Sequence, residues 1–324
     1  MPAGAGAGAR VMLGKTAGGL MWMFRYLERS ENTTRLIEAG FRIALTRPAG
    51  SADEWASVID AAGARAAYLA RHETFEQATA INFLLRDPAN PSNILAALDS
   101  ARNNARLVRT ALSREVWEAT NECWLEARRV LARPVRERDL PEALGLIRQQ
   151  SALVRGALHG TMLRNDIFDF ARIGTFLERA DNTARILDVK YYVLLPSISQ
   201  IGSPLDNVQW ENILRSVGGQ SSYRWLNGAE VAPRGIASFL ILDGRMPRSL
   251  AFCAAKIHAN LGYLEKEYHQ RHDCHDMVSA LVGRLSATTI DEIFESGLHE
   301  FILDFLRDTA RLGGQIEADY RFYG

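Results

Sequence analysis

Ten residues, LERSENTTRL at Leu27 to Leu36, return as LERADNTARI at Leu177 to Ile186, 150 positions further on. Self-similarity at this distance constrains the chain more than any single motif, because each copy must fold into the same unit. Later landmarks keep the register with small insertions. Trp55 and Trp210, Gly63 and Gly218, and Tyr68 and Tyr223 lie 155 apart, while Phe83, Leu84, Asp87 and Pro91 match Phe239, Leu240, Asp243 and Pro247 at 156. One duplication accounts for this, with residues 1–11 as a disordered leader, 12–160 as the first helical repeat and 161–324 as the second.

Each copy reads as helices. From Lys15 to Leu45 the apolar Met23, Tyr26, Leu27, Ile37, Phe41, Ala44 and Leu45 fall on one face at 3.6-residue periodicity, and Arg47-Pro48 then stops the helix. The equivalent helix runs over 165–195, and these two are expected to be the longest. Asp53 and its neighbours, and Asp206, suit helix caps before Trp55 and Trp210, and Pro91 and Pro247 suit first helical turns. Strand-type alternation is absent, and Ala, Leu, Arg and Glu dominate. The expected fold is all-α, two tandem copies of a helical-bundle unit related by pseudo-two-fold symmetry.

Within the first helix Glu28, Asn32 and Arg35 share a face, and Glu31 pairs at i+4 with Arg35; Glu178, Asp181, Asn182 and Arg185 repeat the pattern. The stripe lies opposite the apolar face, as a solvated surface would. Comparison of the copies argues otherwise. Over residues 23–45 and 173–195 seven of 23 positions are identical, and five of those are Glu28, Arg29, Asn32, Thr33 and Arg35. Apolar positions have been exchanged meanwhile, Leu36 for Ile186 and Ile37 for Leu187, as cores tolerate. The retained polar residues therefore meet something geometrically demanding. Either a buried carboxylate–guanidinium network joins the two helices, or they form a ligand surface with Arg29 and Arg179. A weaker echo, LDSARNNARLV at Leu98 to Val108, would add Asn103 and Arg106 to the first copy's side; chance similarity between alanine-rich helices explains it as well.

The segments MLGKTAGGLMWMFRYLERSENTTRL and FLERADNTARILDVKYYVLL, with FLLRDPANPSN and FLILDGRMPRS, resemble the two halves of the alpha-E domain proteins, a bacterial helical family with an ER motif. By position the motif falls on Glu28-Arg29 and Glu178-Arg179. Ser30 and Thr34 stand where alanine is usual, and Lys15 and the TAGG glycines where the pattern varies. The resemblance implies association with circularly permuted ATP-grasp ligases, transglutaminase-like proteins and an NTN-hydrolase-type peptidase, hence a role in peptide synthesis or modification. The expected function is an auxiliary or recognition component of such an amide-ligating system. The alternatives are an enzyme with Glu28 or Glu178 as acid–base groups, or a structural scaffold.

Other chemistries find little footing. The 38 basic residues balance the 38 acidic ones, so no overall field attracts nucleic acid or an anionic membrane. No apolar run reaches the roughly 18 residues of a membrane span. Cys123, Cys253 and Cys274 form no CxxC pair, which fits a reducing cytoplasm. A di-iron bundle needs Glu-x-x-His, which the chain lacks, and the cluster His269, His272, Cys274 and His275 has no second ligand group, so neither metal nor cofactor is expected. His299 reads as a satisfied core or interface histidine. The glycine pairs form no nucleotide-binding fingerprint and no catalytic motif appears. Trp55, Trp117, Trp124, Trp210 and Trp225 read as helix-packing anchors.

Overall fold

The computed structural model describes residues 12–45, 52–193, 204–228 and 232–323. Among them are fifteen α-helices and no strand. The two longest are α1 (Gly14–Ala44) and α8 (Asp166–Val193), as the uninterrupted periodicity of the two signature segments predicts. The candidate caps at Asp53 and Asp206 and the stop at Pro48 lie outside the described residues or side chains.

After α1 come α2 (Ala52–Ala61), α3 (Arg65–Leu69), α4 (Gln77–Leu85), α5 (Ile94–Leu107), α6 (Arg114–Val130) and α7 (Leu140–Thr161). After α8 the order returns as α9 (Pro204–Ser216), α10 (Gln220–Asn227), α11 (Pro233–Ile241), α12 (Leu250–Tyr268) and α13 (Asp273–Ala287); the extra α14 (Ile290–Ser296) precedes α15 (Leu298–Asp319). Buried positions repeat with the helices. In α5 and α12, Ile94, Ala97, Leu98, Ala101 and Ala105 answer to Leu250, Cys253, Ala254, Ile257 and Leu261. In α7 and α15, Leu140, Ile147, Ser151, Val154 and Leu158 answer to Leu298, Phe305, Thr309, Leu312 and Ile316. Side-chain volumes have drifted while the inward face has not, which is what close packing permits.

The two halves share one core. Helices α1 and α8 pack against each other, and each is flanked by its own copy's helices, α5 and α7 on α1, α12 and α15 on α8. The second helix of each copy crosses over, α2 resting on α8 and α9 on α1. Their tryptophans, Trp55 and Trp210, are buried, and the Trp55 ring lies against Gly40 of α1. The α1–α8 approach is close enough to need glycine. A Cβ at Gly174 would stand 2.1 Å from the Met21 carbonyl oxygen, so any side chain there would push the helices apart.

Three expectations change. The signature stripe is not opposite the core. Residues Ser30 to Thr34 are all buried, because α8, α9 and α7 cover the faces that periodicity assigns to solvent. Pro91 and Pro247 stand two residues before the caps Asn93 and Ser249, whose side chains accept from the Ala96 and Phe252 amides, so the prolines shape the preceding turn. Trp225 is 90% exposed and anchors nothing, while Trp117 and Trp124 are half-buried. Among the described residues no helix is long and apolar enough to cross a membrane.

Candidate functional site

The crossing of α1 and α8 brings the two Glu-Arg pairs together reciprocally. Arg29 donates from Nε to Glu178 Oε1 at 2.5 Å and from Nη2 to Oε2 at 3.0 Å. Arg179 donates from Nε to Glu28 Oε1 at 2.8 Å and from Nη2 to Oε2 at 2.9 Å. Each copy's glutamate thus receives the fork of the other copy's arginine, the bidentate geometry that makes guanidinium–carboxylate pairs strong and directional. A lysine at either position would offer a single ammonium nitrogen in place of the planar fork and lose the two parallel bonds.

Around Glu28 the network is dense. Arg248, in the turn before α12, pairs with Glu28 Oε1 at 3.2 Å, donates to Glu31 Oε1 at 2.6 Å and to Asn32 Oδ1 at 3.0 Å. Arg155 of α7 pairs with Glu31 and, at 3.5 Å, with Glu28. Arg35 donates to Glu31 Oε1 and reaches the Ser216 carbonyl at 3.2 Å. Glu28 and Glu31 are each 1% exposed. Burial by itself would raise the Glu28 carboxyl, but Arg179, Arg248 and Arg155 outweigh it and hold the group well below the usual carboxylate range. Burial and Glu28 push Glu31 up, yet Arg248, Arg155 and Arg35 leave it lowered too. Burial draws the Arg248 guanidinium down to about 10 with help from Arg179 and Arg35, against the pull of Glu28 and Glu31, and it stays charged at neutral pH.

Around Glu178 the pattern is looser. Arg25 donates to Glu178 Oε2 at 3.1 Å beside Arg29, and Arg185 pairs with Asp181 at 2.7 and 3.2 Å. Burial raises Glu178, and Arg29 and Arg25 overcome it to leave a lowered carboxyl. Two exchanges between the copies explain the second cation. Arg25 aligns with Thr175, and Arg155 with Gly313, whose missing Cβ would face the Arg25 guanidinium at 3.8 Å. The first copy's glutamate takes its extra cation from its own bundle, the second copy's from the facing helix.

A third exchange is not compensated. Arg248 aligns with Ser92, and the turns carrying them are the same turn. Asp87 accepts from the Ala89 amide as Asp243 accepts from the Arg245 amide, and the caps Asn93 and Ser249 donate back to the Asp87 and Asp243 carbonyls. With serine in place of arginine, a cavity of about 210 Å³ stands between Ser92, Asn90, Glu178, Asp181 and Asn182. Arg29 and Arg185 form its more exposed wall. Gly63, at φ 67°, closes it near the Arg185 guanidinium, as Gly218, also at φ 67°, stands near that of Arg35. Asn182 is 5% exposed, lines this cavity, and its buried Nδ2 has no hydrogen-bond partner.

Of the residues singled out from sequence, Glu28, Arg29, Glu31, Asn32 and Arg35 and their counterparts Glu178, Arg179, Asp181, Asn182 and Arg185 are gathered here. Asn103 and Arg106 are not. Both are exposed on α5, where Asn103 bonds Asp99 at 3.0 Å, so the echo in that helix is a similarity of composition. Arg25, Arg155, Arg248 and Ser92 were missed, although the aligned turns differ in charge only at Arg86, Arg245 and Arg248 and so mark the last.

Elsewhere the chemistry is structural. His275 is buried, accepts the His272 amide on Nδ1 and meets the Leu261 carbonyl through Nε2, an N-terminal cap for α13. His299 pairs with Asp188 at 2.6 Å, tying α15 to α8. The three cysteines are buried and burial pushes Cys123 and Cys253 up to about 12, so neither is a thiolate at neutral pH. Burial, then Glu267, raises Asp169 to about 7 at the far end of α8. Among the described residues no group of three or more His, Cys, Asp or Glu side chains is placed to hold a metal ion.

Residues 12–320 match the Alpha-E family, described as a predicted alpha-helical domain with a conserved ER motif, and the chain belongs to that family. No curated protein and no solved structure matches it.

Proposed function

We propose that this Alpha-E protein is a recognition component of a cytoplasmic amide-ligating system, working beside a circularly permuted ATP-grasp ligase and a transglutaminase-like protein and not itself the catalyst. The partners follow from the family resemblance of the two signature segments. The non-catalytic role rests on one observation: Glu28 and Glu178 each accept a two-pronged guanidinium from the opposite copy. A carboxylate engaged in this way, with its protonation suppressed, is a poor general base, since efficient proton transfer wants a pKa near the working pH. The cavity at Ser92 has the opposite character. Its amides, hydroxyl and half-exposed arginines suit holding a small polar group.

Reconstitution with the ligase tests this. Glu178→Gln keeps the shape of the side chain and removes its basicity. Recognition predicts a raised KM for the acceptor with kcat within about threefold, whereas loss of an acid–base group lowers kcat by about 10²-fold or more. The latter result would favour the enzyme reading.

A further inference from the structure

The duplication supplies a template for what the cavity binds. In the Glu28 cluster the space beside Glu28, Glu31 and Asn32 is filled by the chain's own guanidinium, that of Arg248, which bonds all three. In the Glu178 cluster the aligned residues Glu178, Asp181 and Asn182 line a cavity, and the residue aligned with Arg248 is Ser92. We infer that the cavity at Ser92 takes a guanidinium from outside the chain, carried by a small molecule or by an arginine side chain of a peptide.

Charge does not bar this, although each cluster already carries an excess of one positive charge. With Arg248 set aside, each cluster holds three guanidinia against two carboxylates: Arg35, Arg155 and Arg179 over Glu28 and Glu31, and Arg25, Arg29 and Arg185 over Glu178 and Asp181. The first of these environments accommodates one further guanidinium, Arg248, that is only 6% exposed. The second presents the same acceptors with the same balance. Asp181 is one methylene shorter than Glu31, which leaves more depth for an incoming group. Asn182 is the counterpart of Asn32, whose Oδ1 accepts from Arg248; its buried Nδ2 has no partner and, being a donor, calls for an oxygen on the molecule that carries the guanidinium, not for the guanidinium itself. A planar fork of five donors fits a convergent set of carboxylate and amide oxygens better than an ammonium does.

The inference rests on reading the cavity as a recognition site, and the test separates the two. Calorimetry on the full chain compares methylguanidinium, free L-arginine and N-acetyl-L-arginine methylamide with acetate and methylammonium. Methylguanidinium is expected to bind at one site, at least tenfold more tightly than acetate or methylammonium, and to be lost in Ser92→Arg and in Ser92→Leu, which fills the same space without charge. A tighter free amino acid identifies a small-molecule source, a tighter methylamide a peptide. Arg248→Ser, which recreates the cavity in the other cluster, is expected to gain a second methylguanidinium site. Acetate binding that Ser92→Arg removes, or a folded Arg248→Ser variant with no added site, would overturn the guanidinium assignment. So would the absence of binding by every cationic probe. If Ser92→Leu then still abolishes ligation in the reconstituted system, the recognition reading stands with a different ligand; if ligation is unchanged, both readings fail.

Discussion

The two Glu-Arg clusters carry one repeated sequence signature and differ in how completely they are closed. The Glu28 cluster is sealed by Arg248 and Arg155 and leaves its carboxylates almost without solvent. The Glu178 cluster keeps the reciprocal fork but has serine and glycine where those arginines stand, and it opens into a cavity. Two segments with one signature can thus differ in closure: one keeps a filled network, and the other, with serine for Arg248 and glycine for Arg155, leaves an open cavity. Their shared feature, the crossed pairing of Glu28-Arg29 with Glu178-Arg179, makes the ER signature first a device for joining the halves.

The largest effects should fall on the sealed side. Glu28→Ala strands Arg179 and Arg248 in a dry interior and is expected to cost about 3 to 5 kcal/mol, read by denaturant unfolding. Glu178→Ala leaves Arg25 and Arg29, both a fifth or more exposed and able to turn to water, so about 1 to 3 kcal/mol is expected. Equal losses would break the contrast between a closed and an open cluster.

The second cations sharpen the comparison. Arg155→Ala and Arg25→Ala should each cost about 1 to 2 kcal/mol, since both sit about one-fifth exposed over a buried glutamate. If one is silent, the exchange of Thr175 and Gly313 has no energetic meaning. A pH series reads both clusters together. Glu28, Glu31 and Glu178 are held below their ordinary value of 4.5 in the folded chain. Their contribution is therefore present above the unfolded carboxylate range and is lost as pH falls below it. Stability should drop steeply under pH 4.5, and the Glu28→Gln variant should show a shallower acid limb. Smallest of all, Asn103→Ala and Arg106→Ala should stay within about 0.5 kcal/mol of the parent, because neither touches the network.

Much of this was legible in the sequence. Periodicity located α1 and α8, and the contrast between fixed polar and drifting apolar positions pointed to a demanding environment at Glu28, Asn32 and Arg35. What hid the burial is that a helix wrapped on several sides carries polar residues inward as readily as apolar ones when they pair across an interface. Periodicity alone therefore placed the stripe in solvent. Arg155 and Arg25 were hidden for another reason. They come from different helices in the two copies, so no aligned position retains them, although the space they occupy is equivalent. Ser92 carries its meaning only through Arg248, and that relation needs the shared turn to be seen in three dimensions. The exposure of Trp225 shows the limit of reading aromatics as anchors: α10 is short and amphipathic, and Tyr223 is the buried side chain there.

The central claim is that the ER motif is an energetic link across the duplication, and a double-mutant cycle on Glu28 and Arg179 tests it most directly. Unfolding free energies of the parent, Glu28→Ala, Arg179→Ala and the double variant give the coupling between two side chains that lie 151 residues apart and meet at 2.8 and 2.9 Å. The account predicts a coupling of about 2 kcal/mol or more, with the double variant more stable than the sum of the single losses implies. A coupling below about 0.5 kcal/mol would contradict it.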